Sequence, residues 1–348
     1  MERTVTRTPQ PTRSLSAWTI LLLSLVMGWG CGTGCGSGDD GPPPEDAGAA
    51  QRVQAPAFQR DSAYAYVAQQ VGFGPRVPNS EAHRRTGDWL VQELNRHGAK
   101  VTVQAGRVQA YDGTWLDIRN IIGAYNPEAT ERVLLYAHWD TRPFADKDSV
   151  RTREPIDGAN DGGSGVGVLL EIARLLKNQP PRVGVDIIFF DAEDYGRPEW
   201  DRLSADAQSY REWCLGSQFW AQQPHQFGYR AKYGILLDMV GGKNAVFNRE
   251  GTSMEYAPHV VQKVWTSARN LGYSGLFLDE VTPPTVDDNL FISELAGIPS
   301  ANIVHYELQV RTMGYGAFHH THQDNLGNID PTTLEAVGRV VADVVWNE

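Results

Sequence analysis

Apolar and polar positions change period along this chain, and each change marks an element. In "SEAHRRTGDWLVQELNRHG", Ser80 is placed to cap a helix, Trp89, Leu90, Val91 and Leu94 form its apolar stripe, and Gly98 stops it. "KVTVQAGRVQAY" alternates with period two and predicts a strand, and "LDIRNIIGAY" predicts a second. "RVLLYAHWD" is apolar without a break, as a strand covered on both faces would be. A helix over "GSGVGVLLEIARLLKN" follows, then strand "VGVDIIFFDAED", helix "REWCLGSQFWAQ" and strand "KYGILLDMVG". Helices over "APHVVQKVWTSARNLG" and "DNLFISELAG" precede strand "SANIVHY". The last helix has Asp330 as its cap, Pro331 in its first turn and a stripe of Leu334, Val337, Val340, Val341 and Val344. An early strand pair followed by alternating strands and helices predicts an α/β three-layer sandwich, with a mostly parallel mixed central sheet flanked by helices. No internal repeat or second boundary interrupts residues 55–348, which read as a single domain.

The start of the chain follows a different pattern. Arg3, Arg7 and Arg13 precede the apolar run "LSAWTILLLSLVMGWG", with Cys31 and Cys35 after it. Residues 1–35 therefore read as a signal peptide, and two outcomes stay open: a lipoprotein signal giving a lipid anchor, or ordinary secretion. "GSGDDGPPPEDAGAA" lies in a flexible acidic linker over residues 36–54. Either outcome exports the protein, to the periplasm, an outer-membrane anchorage or the medium, with no transmembrane helix in the mature domain. A net charge of -11 argues against a nucleic-acid partner. The domain has one cysteine, Cys214, and so no internal disulfide; among apolar neighbours it reads as a buried, inert thiol.

Polar residues break the apolar strands at matching places. One strand ends in His138 and Asp140, one in Asp191, Glu193 and Asp194, and one carries Asp238. The carboxyl ends of parallel strands lie along one edge of a sheet, where ligands bind. Two loops can join them, "DGANDGGSG" with Asp161 and "GAFHHTHQDN" with His319, His320 and His322. Carboxylates crowded at one edge repel, and a cation offsets the repulsion. The mixture with imidazole fits Zn2+ better than calcium.

At these residues the chain resembles the co-catalytic zinc aminopeptidases and, more closely, the glutaminyl-peptide cyclotransferases of bacteria. "AHWDTRPFAD", "GANDGGSGV", "FFDAEDYG" and "HHTHQDN" carry the likeness, which runs from "GFGPRVPNSEAHRRTGDWLVQEL" to the last helix. In the two-zinc aminopeptidases Asp161 would bridge the metals, His138 and Asp238 would complete one site, and Asp194 and His320 the other. In the cyclotransferases a single zinc would sit on Asp161, Asp194 and His320. There Glu193 would shuttle protons, Asp238 would support the substrate amine, and Asp287 would join the same network. His138 then falls beside the metal, and Asp140 is placed to orient it. Asp324 is placed to orient His320. Asp194 stands where many relatives have Glu, and Ala137 and Val166 occupy the positions of the disulfide in secreted animal cyclases.

The resemblance implies conversion of an N-terminal glutamine of a peptide or protein into pyroglutamate, with release of ammonia. Folding one residue into a ring favours a narrow aromatic pocket, for which Trp139, Trp200 and His319 are the expected substrate contacts. Trp220 falls on a helix stripe and reads as core. The alternative is a two-zinc aminopeptidase, since all of its ligand types are present. A binding domain of the same fold is the third reading, disfavoured by the intact site residues.

Overall fold

The computed structural model describes residues 52–204, 206, 208–308 and 314–348, with the backbone alone for 202–204. The expected leader and most of the expected linker lie outside the described residues. Arg52–Glu348 form one compact unit. Its elements in chain order are α1 (Arg60–Gly72), α2 (Glu81–Arg96), β1 (Lys100–Gln109), β2 (Trp115–Tyr125), β3 (Arg132–His138), α3 (Gly163–Asn178) and β4 (Gly184–Phe190). There follow α4 (Leu215–Gln222), β5 (Gly234–Asp238), β6 (Phe247–Arg249), α5 (Gly251–Tyr256) and α6 (Pro258–Asn270). The last are β7 (Phe277–Val281), α7 (Asp288–Ala296), β8 (Ser300–Val304) and α8 (Pro331–Trp346).

Six strands make one sheet in the order β1-β2-β4-β3-β5-β8. The pairs β1/β2 and β2/β4 are antiparallel, while β4, β3, β5 and β8 run parallel. The continuous apolar runs have their cause in two covered faces. Val133, Leu135 and Ala137 of β3 enter a core shared with α1, α3, α6 and α8. The alternate residues Leu134 and Tyr136 enter a second core with Trp220 of α4 and Ile292 of α7. The three-layer sandwich is thus the observed architecture. Trp220 is fully buried there, packed against Phe190.

The caps fall where the sequence places them. Ser80 accepts from the His83 amide, and Asp330 from the Thr332 amide. The helix expected over "REWCLGSQFWAQ" is shorter than predicted. Ser209–Glu212 form a 3-10 turn, Trp213 is extended, and α4 begins only after Cys214, which takes a left-handed conformation. The sequence pattern also omits α1, α5 and the two-stranded parallel β6/β7 sheet. Among the described residues no helix is long and apolar enough to cross a membrane.

Candidate active site

The parallel strands bring His138, Asp140, Glu193, Asp194 and Asp238 to one edge of the sheet. The two expected loops close over them. The Asp161 loop is held by its backbone: Asn160 and Asp161 N–H donate to the two carboxylate oxygens of Asp324 at 2.7 and 3.0 Å. Asp324 therefore braces this loop and does not orient His320. Buried Arg76 adds a second brace, donating to the carbonyls of Trp139, Asp157 and Gly158. Gly162, with φ of +78°, makes the close approach possible, because a Cβ there would lie 2.8 Å from the Asp140 carbonyl oxygen.

Asp161 sits between two histidines. His138 Nε2 lies 3.1 Å from Asp161 Oδ1 and 3.3 Å from Asp238 Oδ1. His320 Nε2 lies 3.8 Å from Asp161 Oδ2 and 3.2 Å from Asp194 Oδ1. Both halves of the expected ligand set thus converge on one carboxylate. Among the described residues, Asp161 Oδ2 and Asp194 Oδ2 are buried without a hydrogen-bond donor. Buried carboxylate oxygens need a donor or a cation, and carboxylate with imidazole is a zinc donor set. The residues fit that ion.

The electrostatics follow from the crowding. Burial opposes charge on His138, but Asp140, Asp161 and Asp238 outweigh it and hold the ring well above its ordinary pKa. His320 is pushed well down, by burial and then by Arg142, so its ring is neutral. Burial raises Asp194 strongly, and Asp161 adds to it. Burial likewise raises Glu193 well above the carboxylate range, against the pull of His138. Asp238 is raised by burial to about 6.

Other expected residues have definite places. Asp140 lies 3.4 Å from His138 Nδ1 and accepts from the Glu193 and Asp194 amides, so it positions both strand ends. Asp287 caps α7 through the Asp288 amide and accepts from Asn302 Nδ2 at 2.7 Å. Glu193, Cys214 and Asp287 offer atoms within 4.8 Å of one another. A cavity of about 640 Å³ opens over the site, lined among others by Asp161, Glu193, Asp194, Asp238, Asp287, His319 and His320.

Two expected pocket walls are elsewhere. Trp139 is wholly buried, stacked 4.3 Å from the His83 ring with its Nε1–H on the Arg119 carbonyl, and it does not line the cavity. Its strand-end position turns the side chain into the core. Trp200 is 41% exposed, packs edge-on to Phe144 and lies under Arg153, again outside the lining. Trp213, which sequence reasoning missed, lines the cavity and stacks parallel to His320 at 6.0 Å. Its place in an apparent helix stripe hid it. Arg142 and Asp146 were missed as well. Buried Arg142 grips Asp146 with two 2.7 Å hydrogen bonds, donates to the Asp194 carbonyl and covers the Trp213 ring. Asp146 Oδ1 faces His320 Nδ1 at 3.6 Å, the place expected for Asp324.

Sheet order and donor set together define a zinc-peptidase-like α/β protein. The model for peptidase family M28 matches residues 120–345, and the chain belongs to that family. The crystal structure of Bacteroides thetaiotaomicron glutaminyl cyclase bound to N-acetylhistamine is 50% identical, covers 84% of this chain and 99% of that one, and superposes with a TM-score of 0.81. Tannerella forsythia glutaminyl cyclase is 51% identical over 84% of this chain and 100% of that one, with a TM-score of 0.81. Aminopeptidase YwaD of Bacillus subtilis (strain 168) is 28% identical over 66% of this chain and 44% of that protein, so this chain spans less than half of that relative's length. Family and solved relatives imply zinc and a peptide substrate.

Proposed function

We propose that the protein is a glutaminyl-peptide cyclotransferase, converting the N-terminal glutamine of a peptide or protein into pyroglutamate and ammonia. The observation that carries this reading is half-identity to bacterial glutaminyl cyclases along nearly their whole length. One zinc is proposed, on Asp161, Asp194 and His320. In support, all three line the cavity, whereas His138 does not. Bound there, zinc supplies a Lewis acid for a carbonyl oxygen.

The chain's own residues do the rest. The α-amine attacks the side-chain amide carbon; a C–N bond forms to close the ring, and the bond to the departing NH2 breaks. Glu193 takes a proton from the amine and returns it to the leaving nitrogen, so ammonia departs and no proton is lost. Its buried, raised carboxyl is suited to hold that proton between the two steps. Asp238 and Asp287 stand where they can hold the amine. His319 and Trp213 wall the cavity against water. Residues 1–35 are proposed as an export signal, supported by the basic start and apolar run, which mass spectrometry of the mature amino terminus tests.

The two-metal aminopeptidase reading draws on one observation, the sharing of Asp161 between the His138/Asp238 and His320/Asp194 sides. Incubation with a Gln-initiated dipeptide and a Leu-initiated dipeptide separates them. Ammonia and pyroglutamyl product are expected from the first and nothing from the second. Free amino acids from the Leu-peptide, without ammonia from the Gln-peptide, overturn the proposal.

A further inference from the structure

Asp161, His319 and His320 offer ligand atoms within 4.8 Å of one another, so by distance alone His319 belongs to the metal set. Its surroundings say otherwise. Lys147 Nζ lies 2.7 Å from His319 Nδ1. An ammonium only donates, so Nδ1 must accept. The one proton of the neutral imidazole then sits on Nε2. Neither ring nitrogen keeps a free lone pair, and a metal ligand needs one.

We propose that Lys147 is a positioning residue that withholds His319 from the metal and makes it a hydrogen-bond donor for a carbonyl oxygen of the bound peptide. Several contacts fix the pair. Lys147 N–H donates to the His320 carbonyl at 3.2 Å, which ties its loop to the histidine loop. Its Nζ stands 5.9 Å over the Tyr315 ring, and that ring lies 4.6 Å from His319. Lys147, Tyr315 and His319 all line the cavity. The choice of a peptide carbonyl as acceptor rests on the function proposed above; the tautomer does not.

The test is a 15N–1H correlation spectrum of the imidazoles in the zinc-loaded protein, with His319→Gln to assign the signal. A neutral ring protonated on Nε2 is expected with zinc alone and no substrate. A ring protonated on Nδ1, an imidazolium, or a metal-shifted Nε2 overturns the proposal. Lys147→Met is expected to give a mixture of tautomers and to lower kcat/KM on a Gln-initiated peptide about tenfold, the worth of one hydrogen bond. Lys147→Arg, which keeps a donor, restores most of both. An unchanged tautomer in Lys147→Met also overturns it. Because the spectrum needs no turnover, a failed cyclase assay leaves this result readable.

Discussion

The thiol of Cys214 donates to Oε1 of Glu193 at 3.2 Å. Burial, and then the Glu193 charge, push the thiol well above its ordinary pKa, so it stays protonated and is a donor. The approach depends on local backbone. Cys214 N–H donates to the Glu193 carbonyl and Leu215 N–H to that of Ala192, which docks the start of α4 on the Glu193 turn. Ala192 and Cys214 both hold positive φ, as do Met239 beside Asp238 and His320 itself, and such backbone gathers at functional sites. Cys214 is thus buried and unsuited to attack, yet it touches the proposed proton carrier. Cys214→Val is expected to lower kcat about tenfold through loss of that donor, with KM little changed. Cys214→Ser should keep most of the rate. Equal rates for the two variants in steady-state assays count against the role.

Glu193 itself is the sharper case. Glu193→Gln keeps shape and leaves Asp161, Asp194 and His320 in place. Zinc content by elemental analysis is expected to stay at the wild-type value, while turnover falls about 10²–10⁴-fold with loss of the proton carrier. Near-normal turnover in the variant excludes Glu193 as that carrier.

The fold was legible wherever burial imposed a period. β3, β4 and β5 stand out because two covered faces demand unbroken apolar runs, and α8 because its buried Leu334, Val337, Val340, Val341 and Val344 recur at helical spacing. α1 escaped because its buried positions, Ala63, Tyr66, Val67 and Gln70, include a small and a polar residue and make no apolar stripe. β6, three residues long, is too short for any period to register. The ligand set was legible because parallel strands deliver their ends to one edge. The cavity wall was not, since a pattern reports burial and never the cavity a ring faces. Hence Trp139 in the core, Trp200 at the surface and Trp213 over His320. For the same reason Asp324 was paired with its sequence neighbour His320, while Asp146, 174 residues away from it, faces that ring.

Asp146 bears on metal affinity. It is gripped by Arg142 and faces His320 Nδ1, which turns Nε2 toward Asp161 and Asp194. Its pKa is lowered to about 2; burial works the other way, but the Arg142 hydrogen bonds dominate. Asp146→Asn is expected to weaken zinc binding about 10–100-fold, the usual cost of losing a carboxylate behind a ligand histidine. His320→Ala should abolish stoichiometric zinc at the proposed site. Titration against a chelator of known affinity reads both, and wild-type affinity in Asp146→Asn removes it from the site's support.

Far from the site, a buried histidine sets an acid limit on stability. His97 Nε2 lies 2.8 Å from the Tyr66 hydroxyl, which also accepts from Arg96 at 3.0 Å. Tyr66 therefore donates to a neutral imidazole. Burial, then Arg96 and Lys177, lower the His97 pKa from 6.5 to about 4. Below pH 6.5 the unfolded chain takes up a proton that the folded chain refuses until about pH 4, so unfolding binds protons and stability falls with pH across that window. The loss from this group amounts to about 3 kcal/mol at most, complete near pH 4. His97→Gln has no such proton to refuse. Its urea unfolding free energy should lie below wild type at pH 7.5, where the Tyr66 contact is weakened, and converge on wild type as pH drops toward 4. Parallel pH profiles for the two proteins exclude His97 as the titrating group.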